Sequence, residues 1–541
     1  VVVQDASVDN HALSVEGGTF ALTNSVLTRT SRVPAYSDDE HGILYIVDAF
    51  AEISNTELSE LFGHAARIED ATVYTEYTTW DTNYHVAFVS STNSVRDPWG
   101  GAIIAYRSSI LDEGSTFSDN STAYGSGGAI YASETDLEMV GTTFVHNGHP
   151  LPVEVDPDQD EPYDGGAIYA SGGEVDLDTV RFEDSNSTSG SAAIEVSSAP
   201  LVVLNDVVID TTSGGDGFSG QAASFWSVDE LVVDGLEVKG GTSEGRAMIL
   251  AGYTPHIDLR NLDFVDAPDA CLILDEAEDA VVTESTFERC AGYGIWVDGG
   301  ASVQLTDNVF DGNTSNAVLS TADALYTENN VYDGNSAGGG GAIYSTGTVH
   351  SCGDTFTGNT AGDDGGAVAV HEGDLDATDT TFTGNSTSTT SGSSFGGAVY
   401  GLYGAELAFD SCTFSGNAAY LGGAVAALYG PDVSLADSVV TANTAEYGGG
   451  LLAIEGDHSC TSSASSSTHG IYANEADSDG GGVYLYNFNS YSPTFSGTDC
   501  DMGTSAAGDD NDPDDVGWYS GTATSSYGSN ADPSCSSGSC S

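Results

Sequence analysis

The fold is decided by residues 356–399, FTGNTAGDDGGAVAVHEGDLDATDTTFTGNSTSTTSGSSFGGAV, in which Phe-x-x-Asn alternates with Gly-Gly-Ala-Val. The first motif occupies Phe356–Asn359 and Phe382–Asn385, and the second occupies Gly365–Val368 and Gly396–Val399. The copies of the first motif begin 26 residues apart, and those of the second begin 31 residues apart. A period of roughly 20–50 residues is the signature of a solenoid, a propeller or an array.

Both motifs recur outside this stretch. Phe-x-x-Asn also begins at Phe117, Phe144, Phe310 and Phe414. The glycine pair of the second motif also begins at Gly100, Gly127, Gly165, Gly340, Gly422, Gly449 and Gly481. Short alternating runs such as Ala129–Ala132 follow the glycine pairs, and a second run such as Val175–Asp178 comes before the phenylalanine. Alternation indicates strands with one buried face, so about three strands per coil of about 25 residues predict an all-β parallel β-helix.

Each motif residue has a mechanical role in such a coil. Phenylalanines that point inward would stack on those of the next coil, and the asparagine three residues later would lie at a bend and bond backbone groups. The glycine pair allows a sharp turn where a side chain would clash. We predict one β-helix over residues 1–505, with irregular coils at 1–100, regular coils at 100–190 and 285–500, and an acidic Ser/Gly/Cys tail at 506–541.

The charge of the chain is extreme. Ten basic and 82 acidic residues give a formal net charge of −72. This charge repels phosphate backbones, so nucleic acid is excluded as a partner. Two interpretations of the acidity stay open, namely adaptation to high salt and a solubility device on a long rod. No run of 18 apolar residues occurs, so no membrane span is predicted.

Eight cysteines, an even number, favour an oxidising compartment. The sequence opens on Val1 without Met or an apolar leader, which predicts a secreted or cell-surface protein whose signal peptide has been removed. Cys352 and Cys412 are two predicted coils apart, about 9–10 Å, which exceeds the reach of a disulfide. The predicted disulfide residues are Cys271 with Cys290, Cys460 with Cys500, and Cys535 with Cys540.

The alternation of Gly-Gly-Ala-Ile, as at Gly127–Ile130, with Phe-x-x-Asn, as at Phe144–Asn147, resembles the repeat of the chlamydial polymorphic outer-membrane proteins. It also resembles repeat proteins of the pectate-lyase-like superfamily. The clear motifs cover about residues 100–474, with a gap near 190–285. The resemblance implies a right-handed parallel β-helix that is exposed at a cell surface and is often adhesive. No C-terminal strands resembling an autotransporter barrel are evident, so the export route stays open.

Polysaccharide lyases and glycoside hydrolases share this fold, so a polysaccharide-active enzyme is the alternative function. Acidic residues are abundant in this chain, so the few basic residues are the better evidence for or against an enzyme site. Arg246, Arg260 and Arg289 fall one per coil, near acids such as Asp258. Salt-bridged arginines on an acidic rod are the competing explanation, and it favours a non-enzyme.

An acidic loop is the candidate metal site. Alternate acids in a loop can converge their oxygens on a hard cation, so calcium is the predicted cofactor. The loop lacks the central glycine of an EF-hand, and a solvated acidic loop is the alternative. The predicted ligands are Asp156, Asp158, Asp160, Glu161 and Asp164.

A non-catalytic structural or adhesive role is the predicted function, with self-association or a cell-surface, host or matrix ligand as the partner. A β-helix ends in unpaired strand edges, which can recruit further strands. Val1, Val2 and Val3 form a short β-favouring run at the start of the chain and are predicted to mediate head-to-tail assembly into fibres.

Overall fold

A computed structural model describes most of the chain, and its described residues contain strands and turns but no helix. The described residues are 2–4, 13–28, 42–61, 64–85, 100–122, 126–148, 166–185, 187, 191–210, 221–239, 248–388, 392–403, 406–463, 469–486, 493–503, 510–519 and 525–526. They form two compact units, Val1–Glu278 and Asp279–Ser541. In both units short strands repeat on three faces of every coil, and the first face follows the glycine turn.

The first unit contains the irregular early coils. Its first-face strands are His64–Glu69, Ile103–Tyr106, Ile130–Ser133, Ile168–Ser171, Ser191–Ser197, Gln221–Trp226, Ile249–Gly252 and Leu272–Asp275. Its second-face strands are Thr72–Glu76, Ser109–Glu113, Asp136–Val140 and Val175–Asp178. Its third-face strands are Val2–Gln4, Val26–Thr28, Glu57–Ser59, Thr79–Asp81, Thr116–Ser118, Thr143–Val145 and Arg181–Glu183. Strands that continue from one face to the next are Leu13–Thr23, Gly42–Ser54, Val202–Asp210, Glu230–Lys239 and His256–Val265. The short strands Tyr84–His85 and Ser121–Thr122 pair beside them.

The second unit contains the regular coils. Its first-face strands are Ile295–Asp298, Val318–Ser320, Ile343–Ser345, Val368–His371, Val399–Leu402, Val425–Leu428, Leu451–Ile454, Val483–Tyr486 and Val516–Tyr519. Its second-face strands are Asp279–Thr283, Ser302–Thr306, Ala324–Glu328, Thr348–Cys352, Leu375–Thr378, Leu407–Asp410, Val433–Ala436, Asp457–Thr461, Thr494–Thr498 and Ser525–Ser526. Its third-face strands are Thr286–Glu288, Val309–Asp311, Val331–Asp333, Thr355–Thr357, Thr381–Thr383, Thr413–Ser415, Val439–Thr441 and Gly470–Tyr472. Between the third and first faces lie Ser336–Gly339, Thr360–Asp364, Thr444–Tyr447 and Glu475–Asp479.

All strand pairs within each unit are parallel, so equivalent residues of successive coils lie side by side. Phe382, for example, is in register with Phe356 on one side and with Phe414 on the other. The same register continues through residues 190–278, where the motifs are absent and Leu231 pairs with Val202 and Ile257. The all-β parallel β-helix that the repeat predicts is therefore confirmed.

The core of each unit is a column of stacked aromatic side chains. In the second unit adjacent ring centroids of this column are 4.6 to 5.0 Å apart. Its members are Phe287, Phe310, Tyr332, Phe356, Phe382 and Phe414. In the first unit Trp80, Phe117, Phe144 and Phe182 form the equivalent column. All of these rings are buried, as the inward position of the phenylalanine in Phe-x-x-Asn predicts.

A ladder of buried asparagines runs beside the aromatic column. The Nδ2 atom of Asn359 donates to the Oδ1 atom of Asn385 and to the carbonyl oxygen of Tyr332 in the preceding coil. The Oδ1 atom of Asn385 also accepts from the backbone N–H of Asn359. Each amide thus satisfies backbone groups at the bend as well as its neighbour, which is why the motif requires asparagine. The ladder of the second unit comprises Asn313, Asn335, Asn359, Asn385, Asn417, Asn443, Asn474 and Asn511.

The glycine pair is required by backbone contacts. Gly365 has a φ of +59°, and a Cβ atom there would lie 2.2 Å from the carbonyl oxygen of Val368. A Cβ atom on Gly366 would lie 2.1 Å from the carbonyl oxygen of Gly397 in the next coil. The first glycine therefore makes the turn and the second allows adjacent coils to approach.

The coils continue past the predicted boundary at residue 505. Val516–Tyr519 pairs in parallel with Val483–Tyr486, and Asn511 joins the asparagine ladder. Val516 is buried, so this acidic segment still supplies an inward apolar residue to the core. Part of the predicted 506–541 tail is thus a further coil.

Candidate binding groove on the first face

One outward surface of the second unit is apolar, although it lies on an acidic protein. Side chains alternate along a strand, so the residues after the inward Val399 and Val425 point away from the bore. In successive coils this outward row reads Tyr344, Ala369, Tyr400, Ala426, Leu452 and Tyr484. From Ala369 onward these side chains are at most 5% exposed, because neighbouring apolar side chains pack over them. Outward positions of the third face carry threonine or serine in some coils, as in Thr381–Thr383 and Thr413–Ser415, and exposed valine in others, such as Val309 and Val331. The first face differs because its apolar outward row continues through six successive coils.

A second outward row, two residues further along each strand, is also largely apolar. It comprises His371, Leu402, Leu428, Ile454 and Tyr486. Leu402 and Leu428 pack with Tyr400 and Leu452 in one hydrophobic cluster. This cluster is built from first-face side chains, whereas the aromatic column is built from the third face.

A line of side chains lies beside these rows, where the chain passes from the third face to the first, and we call it the wall. Equivalent residues of successive coils are in register there, in the order Asp364, Phe395, Leu421, Tyr447 and Asp479. Phe395, Leu421 and Tyr447 are half-buried against the hydrophobic cluster. The wall is therefore apolar in its middle coils and acidic in its first and last coils.

The edge of the first face opposite the wall is also apolar in its middle coils and acidic in its first and last coils. The residues that follow the first-face strands in successive coils are Glu372, Tyr403, Tyr429 and Glu455. Tyr403 and Tyr429 stack with a centroid distance of 5.9 Å, and they are 61% and 42% exposed. We call the space between the two edges the first-face groove. Within this groove a cavity of about 520 Å³ is lined by Phe395, Tyr420, Leu421, Tyr429, Tyr447, Leu452, Ile454, Tyr484 and Tyr486, and the acids at the ends of the two edges lie outside this lining.

Polar atoms without partners lie at the Asp364 end of this surface. Among the described residues, the buried Oδ1 atom of Asp364 and the buried Nε2 atom of His371 have no hydrogen-bond partner. The Nδ1 atom of His371 lies 3.3 Å from the hydroxyl of Tyr344, and its ring lies against Tyr400. Burial, with Asp363 beside it, raises the pKa of Asp364 to about 6, and burial lowers the pKa of His371. Apolar surroundings thus disfavour the charged form of both groups.

A second concavity, of about 510 Å³, lies on the second face. Tyr326 stacks on His350 with a centroid distance of 4.8 Å, and His350 lies 3.3 Å from a carboxylate oxygen of Asp376. Cys352 also lines it as an exposed free thiol. Burial and the nearby Glu328 raise the pKa of the Cys352 thiol, which keeps it protonated and weakly nucleophilic. This surface therefore lacks an activated nucleophile.

The residues predicted to bind calcium or to carry assembly lie mostly outside the described residues. Asp156, Asp158, Asp160, Glu161 and Asp164 all lie outside them, and so does Val1. Val2–Gln4 pairs in parallel with Val26–Thr28 of the same chain. Among the described residues, no group of three or more His, Cys, Asp or Glu could hold a metal ion. The calcium loop therefore stays a prediction.

The predicted cysteine pairs have different outcomes. Cys460 is bonded to Cys500, with Cα atoms 5.7 Å apart. Cys271 in the first unit and Cys290 in the second are each disulfide-bonded, and their mutual pairing stays a prediction. Cys352 and Cys412 are free, as the distance between their predicted coils requires. Cys535 and Cys540 lie outside the described residues.

The arginines of the alternative enzyme hypothesis are engaged by neighbouring acids. Arg260 forms a salt bridge of 2.6 Å with Asp258 on its own strand, and Arg289 pairs with the adjacent Glu288. Arg246 lies outside the described residues. Exposed ion pairs of this kind are expected on an acidic surface and contribute little to stability, and the enzyme alternative stays a hypothesis.

Comparison with known families agrees with this geometry. Residues 228–361 match the family described as the right handed beta helix region, and residues 114–133 match the Chlamydia polymorphic membrane protein repeat. The chain is therefore a right-handed parallel β-helix that resembles the chlamydial polymorphic membrane proteins, a similarity that points to a surface protein. No curated protein matches, and no solved structure matches. No helix among the described residues is long and apolar enough to span a membrane.

The sequence analysis did not identify the first-face groove. The signal was present, because Val399-Tyr400, Val425-Ala426, Leu451-Leu452 and Val483-Tyr484 place two apolar residues in succession where a half-exposed strand would alternate. Strict alternation predicts a polar outward face for every strand, and these pairs on the first face depart from it.

Proposed function

We propose that this chain is a non-catalytic extracellular protein with a structural or adhesive role at a cell surface, and that the first-face groove is its adhesive surface. The observation that carries the proposal is the set of partly exposed apolar side chains, among them Phe395, Tyr429 and Tyr447, that surround a buried apolar strip on a chain with a net charge of −72. A contiguous apolar patch on an otherwise polar surface marks an interaction site. The similarity to a surface-protein repeat supports the same function.

The composition of the strip supports binding rather than catalysis. Tyrosine supplies a large apolar area together with a polar hydroxyl, and it is enriched in the centres of protein interfaces. Tyr403 and Tyr429 present stacked rings at the edge of the groove, and Tyr447 and Tyr484 contact inside it with centroids 5.1 Å apart. These rings are held by the strand register, so little conformational freedom is lost when a partner binds.

The proposal is tested by adhesion of beads coated with the purified protein to a panel of cell surfaces and extracellular-matrix proteins. Tyr429→Ser in the groove should reduce bead retention at least fivefold. Tyr326→Ser is the matched control, because Tyr326 on the second face is 44% exposed and Tyr429 is 42% exposed. Equal retention of the two variants and the unsubstituted protein on every retaining surface would contradict the adhesive role of the groove.

Assembly into fibres is a second proposal, supported by the first strand of the chain. Val2–Gln4 begins the third-face row, and among the described strands it pairs only with Val26–Thr28. A strand edge that has no partner can bond a further strand, and this is the contact that the fibre proposal requires. Repulsion between chains opposes stacking at low ionic strength, and salt screens it. Light scattering should detect polymers in molar salt with millimolar calcium, and monomers throughout would contradict the fibre proposal.

A further inference from the structure

The charges around the first-face groove form a regular pattern. Along the wall, the acids Asp364 and Asp479 lie in the first and last of five successive coils. Along the opposite edge, Glu372 and Glu455 lie in the first and last of four successive coils. The positions between them are aromatic or aliphatic on both edges. Carboxylates therefore stand at both ends of an apolar strip, and the groove is not simply an apolar patch on an acidic surface.

The chain supplies little positive charge to balance these acids. Residues 290–541 contain no lysine and no arginine. At the Asp364 end, one carboxylate oxygen is buried without a hydrogen-bond partner among the described residues. A buried polar atom without a partner is costly, and Asp364 as a whole is only partly buried, so a donor from outside can reach its carboxylate group. The site is therefore complementary to cationic groups that come from another molecule.

The spacing of the acids sets the length of the occupant. Asp364 and Asp479 are separated by four coil steps of about 4.8 Å each, or about 19 Å. An extended peptide rises about 3.3 Å per residue, so its first and seventh side chains lie about 20 Å apart on the same face. A compact cation would reach only one end of the groove. A second copy of this chain is disfavoured because it would carry the same net charge of −72.

We infer that the first-face groove binds an extended peptide segment of another protein, with a lysine or arginine side chain at each end and aromatic or aliphatic side chains between. One cationic end lies against Asp364 and Glu372 of the same coil, and the other lies against Asp479, with Glu455 one coil before it on the opposite edge. The apolar side chains lie on the strip between the Phe395 wall and the opposite edge. This inference rests on the proposed function, since it names the partner class of the same groove.

The test uses the full chain and a synthetic heptapeptide with lysine at its first and last positions, tyrosine at its third and fifth, and threonine elsewhere. One control has glutamate in place of both lysines. A second control has the same composition with the two lysines adjacent, which measures non-specific attraction to the acidic surface. A neutral hexasaccharide represents a glycan ligand. Isothermal titration at low and at physiological ionic strength should show the end-lysine peptide binding about tenfold more tightly than any control.

Matched variants locate the binding. Asp364→Asn and Asp479→Asn should each weaken the end-lysine peptide about 5- to 10-fold and leave the glutamate peptide unchanged. Asp410→Asn, which removes an exposed acid from the second face, should have no effect. The inference is overturned if both lysine peptides bind equally, if the hexasaccharide binds more tightly, or if the Asp364 and Asp479 variants behave like Asp410→Asn. If any of those results is obtained while Tyr429→Ser still loses bead adhesion, the peptide inference is overturned and the proposed adhesive function stands. Unchanged adhesion would instead overturn the proposed function.

Discussion

The side-chain amide of Asn385 donates a hydrogen bond of 3.1 Å to the Oδ1 atom of Asn417 in the next coil. Asn385 also donates to the carbonyl oxygen of Phe356 in the preceding coil, so one buried side chain connects three coils. Hydrogen bonds in such a row polarise one another, and each member depends on its neighbours for satisfaction. The asparagine ladder is therefore as much a part of the core as the aromatic column.

Replacing Asn385 with alanine should destabilise the second unit strongly. The substitution removes the acceptor of the N–H and Nδ2 groups of Asn359 and the donor to Phe356. Unsatisfied buried groups cost roughly 1–3 kcal/mol each, so the three groups that lose a partner predict a loss of at least about 3 kcal/mol in the free energy of unfolding. Urea denaturation followed by circular dichroism measures it. Thr383→Ala, at an exposed position of the same coil, is the control and should change stability by less than about 0.5 kcal/mol.

Replacing Phe382 with alanine should create a cavity in the aromatic column. The ring is fully buried and lies 4.9 Å from the ring of Phe356 and 4.7 Å from that of Phe414. Truncations of buried phenylalanine cost roughly 3–5 kcal/mol, and Phe382→Leu should cost less because it fills part of the space. Tyr429→Ala at the groove edge should leave the thermal midpoint nearly unchanged. A Phe382→Ala protein with an unchanged midpoint would show that the column does not support the fold.

The buried carboxyl group of Asp354 should make stability depend on pH. Its oxygens accept bonds from Ser351 and from the backbone and side chain of Asn330, and burial raises its pKa above the usual value. The folded state therefore retains this proton when the unfolded state has lost it. The contribution to stability is full below the unfolded pKa of about 3.9 and is lost as pH rises towards the folded pKa, at about 1.4 kcal/mol per unit of pKa difference.

The comparison of Asp354→Asn with the unsubstituted protein isolates the pH-dependent contribution of Asp354 to stability. Asn308 and Asn330 occupy the same bend in the two preceding coils, so asparagine at position 354 would continue their row. We expect the difference in unfolding free energy between the variant and the unsubstituted protein to favour the variant more at pH 7 than at pH 3.5. Asp311→Asn, at an exposed position, should give no such pH-dependent difference. A difference independent of pH would contradict a raised pKa of Asp354.

Calcium binding by the acidic loop stays a prediction that chelation can test. If Asp156, Asp158 and Asp160 converge on calcium, excess chelator should lower the melting temperature, because a ligand that binds only the folded state stabilises it. Asp158→Asn should abolish the sensitivity to chelator and should itself melt at the lower temperature. Magnesium at the same concentration is the control, since it needs a tighter octahedral site. An identical melt with and without chelator would leave the loop as an acidic surface.

The architecture and the two stabilising columns can be predicted from the repeat in the sequence. Phe356–Asn359 and Gly365–Val368 recur at a period that a solenoid requires, and each residue type has a local physical reason to occupy its place. Because parallel coils stack equivalent positions on one another, the repeat alone is enough to predict the contact of Asn359 with Asn385. The pairing of Cys460 with Cys500 was predictable on the same basis.

The location of the proposed binding surface follows from the tertiary structure and not from any local sequence pattern. Asp364, Phe395 and Tyr447 belong to different repeats and to turns of different length, and no local pattern connects them. They form one wall because strand register aligns the turns, and register depends on how each coil closes on the one before it. Outward residues carry no packing constraint that a repeat could reveal, whereas inward residues must fill the bore. The core could therefore be predicted from the sequence, whereas the groove could be identified only from the stacked coils of the structure.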